Sequence, residues 1–385
     1  MADLERILPL WIELENSRAD YVLATVTAAE GPSYRKPGAC MLVAQDGRRA
    51  GTVSGGCLEA EVARRAWWLT ASGVTLQRFS TVEEDGDRPY GSGCGGVVWL
   101  LLERRPTAAP LLLALQHSFE RRTPLTVATI VEGAYLGRRA FAGVETGHTG
   151  DPKFKAPDTL QHLAELALAS KASMQSKVSI NGAEARVWTD FRPARPGLWI
   201  FGAGDDAQPL LRLAKELGWL VAVADGRSHL ATRDRFATAD ELHILKMEEF
   251  AATPSAEAPA ALANIRSQDA AVVMTHSFEQ DSRALASLLA LKPQPAYIGV
   301  LGPQRRTREL LAEAARLLNK PADSANETVE RWLSHLHAPT GLDLGAESPE
   351  TIALSVIAEI QQCFAKASAL PLRQVRAIPP PPTTR

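Results

Sequence analysis

Apolar residues recur close to every 3.6 positions through Leu4, Ile7, Leu8, Trp11, Ile12 and Leu14, which predicts an amphipathic helix over 4–16. The period then shortens. Tyr21-Val22-Leu23-Ala24-Thr25-Val26 reads as a strand closed by Glu30-Gly31-Pro32, and 39–44 reads as a second closed by Asp46-Gly47. Helical spacing returns over 58–69, followed by strands near 74–79 and 97–103, a helix near 108–121 and a strand over 125–131. Short strands mixed with helices, without regular alternation, predict an α+β domain over 1–190. Within it the polar, alanine-rich stretch 146–180 reads as a surface insertion carrying one helix.

Phe191-Arg-Pro-Ala-Arg-Pro-Gly197 is punctuated by proline, which pushes the residues before it toward extended backbone, so the linker is placed at 191–197. Beyond it the rhythm changes. A strand over 198–201, a helix over 205–217, a strand over 219–224 and an extended piece near 241–245 lead to a strand over 270–274. A helix over 280–291, a strand over 296–300 and a helix over 304–318 follow. This βα series predicts a mostly parallel sheet covered by helices on both faces, in a domain over 198–370. Ser348 as cap and Pro349 at the first helical position open a last helix over 349–367. The tail 371–385, with Pro379–Pro382, reads as disordered and polyproline-like.

Composition narrows the class. The 27 Gly and 25 Pro in 385 residues stay well under the roughly 25–30% of low-complexity chains, so the chain is expected to be globular. With 42 Lys and Arg against 44 Asp and Glu, it lacks the positive field that nucleic acid or an anionic membrane would need. No apolar run approaches the roughly 18 residues of a bilayer span, and the first residues, Met-Ala-Asp-Leu-Glu-Arg, do not read as a signal peptide. A cytoplasmic protein is expected. Four scattered cysteines form no disulfide framework and are expected to be reduced thiols; Cys40 in an apolar strand and Cys363 in an amphipathic helix read as core residues.

Three groups of residues carry candidate chemistry. Gly202-Ala203-Gly204-Asp205-Asp206-Ala207 follows an apolar strand and opens a helix, the setting in which glycines admit a pyrophosphate and Ala207 keeps helix and strand close. Asp225, about twenty residues on, stands where a ribose-binding carboxylate would, and Arg227 would favour a phosphorylated ribose or another anion. Asp205 and Asp206 argue the other way, since carboxylates in the first turn repel a pyrophosphate.

The second group is Ser54-Gly55-Gly56-Cys57-Leu58-Glu59, which delivers a thiol to a helix start, where the dipole favours thiolate although Glu59 and Glu61 oppose it. It is matched by Gly91-Ser92-Gly93-Cys94-Gly95-Gly96, whose glycines leave a thiol accessible to a bulky ligand. Either cysteine alone reads equally well as a small buried turn residue; the matching settings favour chemistry. The third group lies at later strand ends: His276 after Val272–Thr275, Asp281 at the next helix start, and Arg305 with Arg306 at a loop-to-helix junction suited to a phosphate. The glycine-punctuated loop His337–Gly345 would border the same crevice.

With these motifs in view, the chain resembles the XdhC/CoxI family, accessory proteins of molybdenum hydroxylases such as xanthine dehydrogenase and aerobic carbon monoxide dehydrogenase. In the first half the resemblance rests on Gly31-Pro-Ser-Tyr-Arg-Lys-Pro-Gly38, Gly51-Thr-Val-Ser-Gly-Gly-Cys-Leu-Glu59 and Gly91–Gly96. In the second it rests on Phe201–Gly204, Val223–Arg227, Thr275-His276, Tyr297–Gly302 and His337-Ala-Pro-Thr-Gly-Leu-Asp343. It implies an α/β protein whose α+β XdhC/CoxI-type domain precedes a Rossmann-like domain. It also implies a cofactor-maturation role: binding the molybdenum cofactor (molybdopterin), protecting it while a cysteine desulfurase supplies sulfur, and passing it to the apo-hydroxylase. On that reading Cys57 or Cys94 is a molybdenum contact or sulfur relay. Gly55, Gly56, Gly93, Gly95, Gly202, Gly204, Ala207, Asp225, Arg227, His276, Arg305 and Arg306 line the cofactor site. The family commonly carries His after its Gly-x-Gly turn, where this chain has Asp205. A homodimer would let a glycine-cysteine loop meet the Rossmann crevice of another copy. The rival reading is an NAD(P)-dependent oxidoreductase; a scaffold between desulfurase and hydroxylase is a third.

Overall fold

The computed structural model describes residues 2–31, 34–56, 58–80, 96–144, 158–180, 182–245, 260–321 and 325–375, and the chain divides into two compact units, Met1–Arg195 and Pro196–Arg385.

The first unit runs α1 (Ala2–Asn16), β1 (Tyr21–Glu30), β2 (Cys40–Ala44), β3 (Arg49–Gly51), α2 (Glu59–Leu69), β4 (Thr75–Ser80), β5 (Val97–Arg104) and α3 (Arg105–Arg121). It continues with β6 (Leu125–Gly133), β7 (Arg139–Ala142), α4 (Asp158–Ser170), β8 (Met174–Ile180) and β9 (Ala183–Arg192). The strands form two antiparallel sheets, ordered β3-β2-β1-β5-β4 and β7-β6-β9-β8. The apolar run at the start of β1 has a physical reason: both faces of the strand are buried. Tyr21 and Leu23 pack with Leu4, Ile7 and Leu8 of α1 and Leu111, Leu112 and Leu115 of α3, while Val22, Ala24 and Val26 face Val62 and Ala66 of α2.

The stretch expected as a surface insertion over 146–180 is instead structural where it is described. Helix α4 buries Leu160, Leu163, Ala164 and Ala167 against Ala128, Ile130 and Val187 of the second sheet, because that sheet face needs a cover, and β8 is its edge strand. The proline-rich linker is shorter than expected. Phe191 and Arg192 still pair in β9, opposite Thr126 and Leu125, and Gly197 already pairs with Leu220.

The second unit runs β10 (Gly197–Phe201), α5 (Ala207–Glu216), β11 (Leu220–Asp225), β12 (Glu241–Ile244), α6 (Ala260–Ala263), β13 (Ala270–Val273), α7 (Phe278–Ala290) and β14 (Tyr297–Val300). Helices α8 (Gln304–Leu317), α9 (Ala325–Leu333), α10 (Pro349–Ala365) and α11 (Leu372–Val375) complete it. Its sheet, ordered β12-β11-β10-β13-β14, is parallel throughout. Leu198 and Ile200 face α5 and α10, whereas Trp199 and Phe201 face α7 and α8, the two-sided burial that the apolar strands imply. Ser348 caps α10 in a capping box with Thr351, and Pro349 occupies the first turn, as the sequence suggests. The tail differs at its start, where Leu372–Val375 form a helical turn; Pro379–Pro382 lie outside the described residues. Cys40 is buried, but Cys363 is only partly so, because its position on α10 faces the Ala296 carbonyl near the helix surface.

Candidate functional site

Parallel strands deliver their carboxyl ends to one edge, and in this sheet β10 is the switch point between β11 and β13. Gly202 leaves β10 at φ +140°, and an added Cβ would lie 2.6 Å from the Met274 carbonyl oxygen, so a side chain there is excluded. Fully buried Ala207 lets α5 approach the strand.

The residues expected to meet a ligand at this edge are tied to one another. Asp225 is fully buried and accepts from the Ala203 N–H at 2.7 Å, the Arg227 N–H at 2.8 Å and the Arg227 guanidinium at 2.8 and 3.0 Å. Burial raises the Asp225 carboxyl, and the bonds from Arg227 and Ala203 outweigh that and hold it below its ordinary value. Arg227 also donates to the Thr275 carbonyl at 3.0 Å. On the other side of β10, buried Asp281 accepts from the Thr275 N–H (3.0 Å), the Thr275 hydroxyl (2.6 Å) and Arg306 (2.6 Å).

His276, in the left-handed region at φ +63°, donates through Nε2 to Asp206 Oδ2 at 2.8 Å, a carboxylate being able only to accept. Asp206 Oδ1 is folded back against Gly204. The helix that the sequence starts at 205 starts at Ala207, and the N–H groups of Ala207 and Gln208 bond to the carbonyls of Gly204 and Asp205. The expected pyrophosphate position therefore faces a carboxylate, with the N–H groups of Ala207 and Gln208 already engaged. Asp225, expected as a ribose ligand, is closed off by its own hydrogen bonds, and Arg227 and Arg306 are counter-ions to buried carboxylates. Arg305 stands apart, 90% exposed and paired with Glu309, one turn along α8.

Asp225→Asn is expected to lower unfolding free energy by about 2 kcal/mol at pH 7, the scale of hydrogen bonds to a charged group. A carboxylate whose folded pKa is depressed stabilises above its unfolded value, about 3.9, and loses that contribution as pH falls through the folded value. The gap between variant and wild type should therefore narrow toward pH 3. Urea titrations at both pH values check it, and a constant gap would exclude the charged-group account.

The loop His337–Gly345 runs beside β14: His337 N–H donates to the Ile298 carbonyl and Val300 N–H to the His337 carbonyl, at 3.0 and 2.9 Å. Glu359 of α10 holds it, accepting from His337 Nδ1 (3.0 Å), the Tyr297 hydroxyl (2.6 Å) and the Gly341 N–H (2.7 Å), and His337 stacks on Tyr297 at 4.1 Å. Burial raises Glu359, but these donors together leave it below its usual value. Burial and the Glu359 carboxylate push the Tyr297 phenol up. Sequence reading misses Glu359; its signal is the spacing Ser355, Glu359, Cys363, one face of α10 at i, i+4 and i+8.

In the first unit, buried Glu59 opens α2 and accepts from the Val53 N–H (3.1 Å), the Ser54 N–H (2.8 Å) and the Ser54 hydroxyl (2.6 Å). Burial raises its carboxyl, and Ser54 and the backbone donors bring it below its usual range. Ser54 Oγ in turn accepts from the Gly56 and Leu58 N–H groups at 3.3 and 3.1 Å, the residues on either side of position 57. Glu61 pairs with Arg64 and Arg65. Gly55 and Gly56 are in place at this loop; Cys57, Gly93, Cys94 and Gly95 lie outside the described residues. Gly56 and Glu59 border a cleft of about 860 Å³ against α1 and β3. No helix among the described residues is long and apolar enough to cross a membrane.

Comparisons with known proteins agree across both units. Residues 198–360 match the model of the XdhC Rossmann domain, and residues 14–80 match that of the XdhC and CoxI family. A Bacillus subtilis (strain 168) protein, named as a probable subunit of xanthine dehydrogenase, is 32% identical over 91% of this chain and 94% of its own length. The Escherichia coli (strain K12) molybdenum cofactor insertion chaperone PaoD is 27% identical over 93% and 88%. A Bacillus halodurans crystal structure described as a xanthine dehydrogenase superposes with a TM-score of 0.69 at 26% identity, covering 98% of this chain and all of that one.

Proposed function

The chain belongs to the XdhC and CoxI family, and from that premise we propose that it carries the molybdenum cofactor as cargo and inserts it into a xanthine dehydrogenase-like molybdenum hydroxylase. The supporting observation is the Gly51–Glu59 loop. A buried carboxylate and one hydroxyl fix the backbone at Gly56 and Leu58, on both sides of position 57, as a binding loop requires, and a cysteine is the residue type suited to a soft metal. In this reading Cys57 or Cys94 contacts the cargo, a cysteine desulfurase supplies its sulfur while it is held, and the chain works in the cytoplasm as a homodimer.

The self-paired sheet edge weighs against the oxidoreductase reading. A dinucleotide would have to displace Asp206 from His276 and would find Asp225 committed to Arg227. Chain purified from a host that makes the cofactor should release a fluorescent oxidised pterin in near-stoichiometric amount, and Cys57→Ala should lower that content at least tenfold. Titration with NADH or NADPH should give no saturable binding in the micromolar range. A pterin-free wild-type chain that transfers hydride from either nucleotide would overturn the reading.

A further inference from the structure

The cleft of about 860 Å³ beside the Gly51–Glu59 loop is within the size of small-molecule sites, and its charges divide unevenly. Each of its carboxylates has a partner: Glu5 takes the Arg195 guanidinium at 2.8 Å, Glu13 takes Arg48 at 2.8 Å, and Glu59 is held by Val53 and Ser54. Its guanidiniums are less fully matched. Arg6 reaches Asp3 only at 3.5 Å on the surface, and exposed Arg49 in β3 makes no ion pair with any described residue.

At the loop itself the Tyr34 ring lies over Gly55, where an added Cβ would meet ring carbons at 3.4 and 3.5 Å, and Tyr34 is otherwise 81% exposed. A tyrosine whose ring carbons rest against a glycine while most of its surface is exposed leaves aromatic surface free for a planar group. A free guanidinium at a concave surface suits a phosphate. Arg49 is fixed by β3, which pairs with β2 through Arg49 opposite Val43, and Glu59 fixes the loop against which the Tyr34 ring lies.

Resting on the cargo-carrier reading, we propose that this face seats a phosphorylated pterin, its ring stacked on Tyr34 over Gly55 and its phosphate held by Arg49. The first unit then supplies both ends of the cargo site from surface residues whose replacement leaves the core untouched.

The test uses the purified full chain with two fluorescent probes, 6-hydroxymethylpterin monophosphate and unphosphorylated 6-hydroxymethylpterin, read by anisotropy. Arg49→Gln should weaken the phosphorylated probe about tenfold and leave the other unchanged. Tyr34→Ala should weaken both about tenfold, and Tyr34→Phe should match wild type. Wild-type affinity for both probes in Arg49→Gln and Tyr34→Ala would overturn the seat. The pterin content of chain from a cofactor-producing host separates the two levels. Full content in both variants removes the seat and leaves the carrier reading intact, whereas an empty wild-type chain removes both.

Discussion

Arg139→Met is expected to destabilise the first unit by about 3–5 kcal/mol, the scale of stranding one member of a buried ion pair. Glu103 of β5 is fully buried, and Arg139 of β7 reaches it at 2.6 Å, so the pair joins the two antiparallel sheets. Arg139 also donates to the Thr107 carbonyl at the start of α3, at 2.8 Å. Glu103 Oε1 has no hydrogen-bond partner among the described residues, which leaves Arg139 as the principal compensation for a carboxylate in the core. Burial already raises the Glu103 carboxyl against the pull of Arg139. Without the guanidinium it rises further, and an acid whose folded pKa exceeds its unfolded value loses stability as pH climbs above that unfolded value, about 4.3. The Arg139→Met deficit should therefore be largest at pH 7 and shrink toward pH 4. The double variant Glu103→Leu, Arg139→Met should recover most of the loss, since no charge is then buried alone. Chemical denaturation of all three proteins decides it; a single-variant loss under about 1 kcal/mol would show that water reaches Glu103.

What the sequence discloses and what it conceals follow from burial. The second unit is legible because each central strand is covered on both faces, so Leu198–Phe201, Val221–Ala224 and Ala270–Val273 stand out as apolar runs, and Ser348-Pro349 marks the start of α10. The second antiparallel sheet is hidden for the opposite reason. Edge strand β8 keeps Gln175, Lys177 and Ser179 on its exposed side, and only Ile180 is fully covered, so it reads as polar connection. Gly182 at the end of its hairpin is the local signal that could have revealed it.

The candidate site divides in the same way. Gly202, Gly204, Asp225, Arg227, His276 and Arg306 do converge, since consecutive parallel strands end at one edge. Their partners are set by tertiary placement that no motif carries: Asp206 turns back to His276, and Asp281 accepts from Thr275 and Arg306 rather than from a ligand. A Rossmann turn in sequence thus corresponds to a braced sheet edge in structure. Sites of this kind are better predicted by asking which carboxylates have counter-ions than by counting glycines.

Glu59→Ala is expected to produce the largest functional loss in the first unit, reducing pterin content at least tenfold while lowering stability by about 2–4 kcal/mol. The substitution leaves two backbone N–H groups and a hydroxyl without their acceptor, and unpaired buried donors cost about 1–3 kcal/mol each, less what water recovers at the loop. It also frees Ser54 Oγ, the acceptor that fixes Gly56 and Leu58, so the amides flanking position 57 should exchange with solvent faster. Glu59→Gln keeps one oxygen for both N–H groups and should lose about 1 kcal/mol. The Glu59 carboxyl is depressed in the folded chain, so its contribution is complete above about pH 4.3 and is lost as pH falls through the folded value; the Ala variant should approach wild type in acid. Leu115→Ala, a core truncation in α3 with a similar expected cost, is the control for stability alone. If it empties the chain of pterin as Glu59→Ala does, Glu59 matters only for folding. Retained pterin in Leu115→Ala, with faster exchange at Gly56 and Leu58 confined to Glu59→Ala, assigns Glu59 to holding the thiol loop in its binding shape.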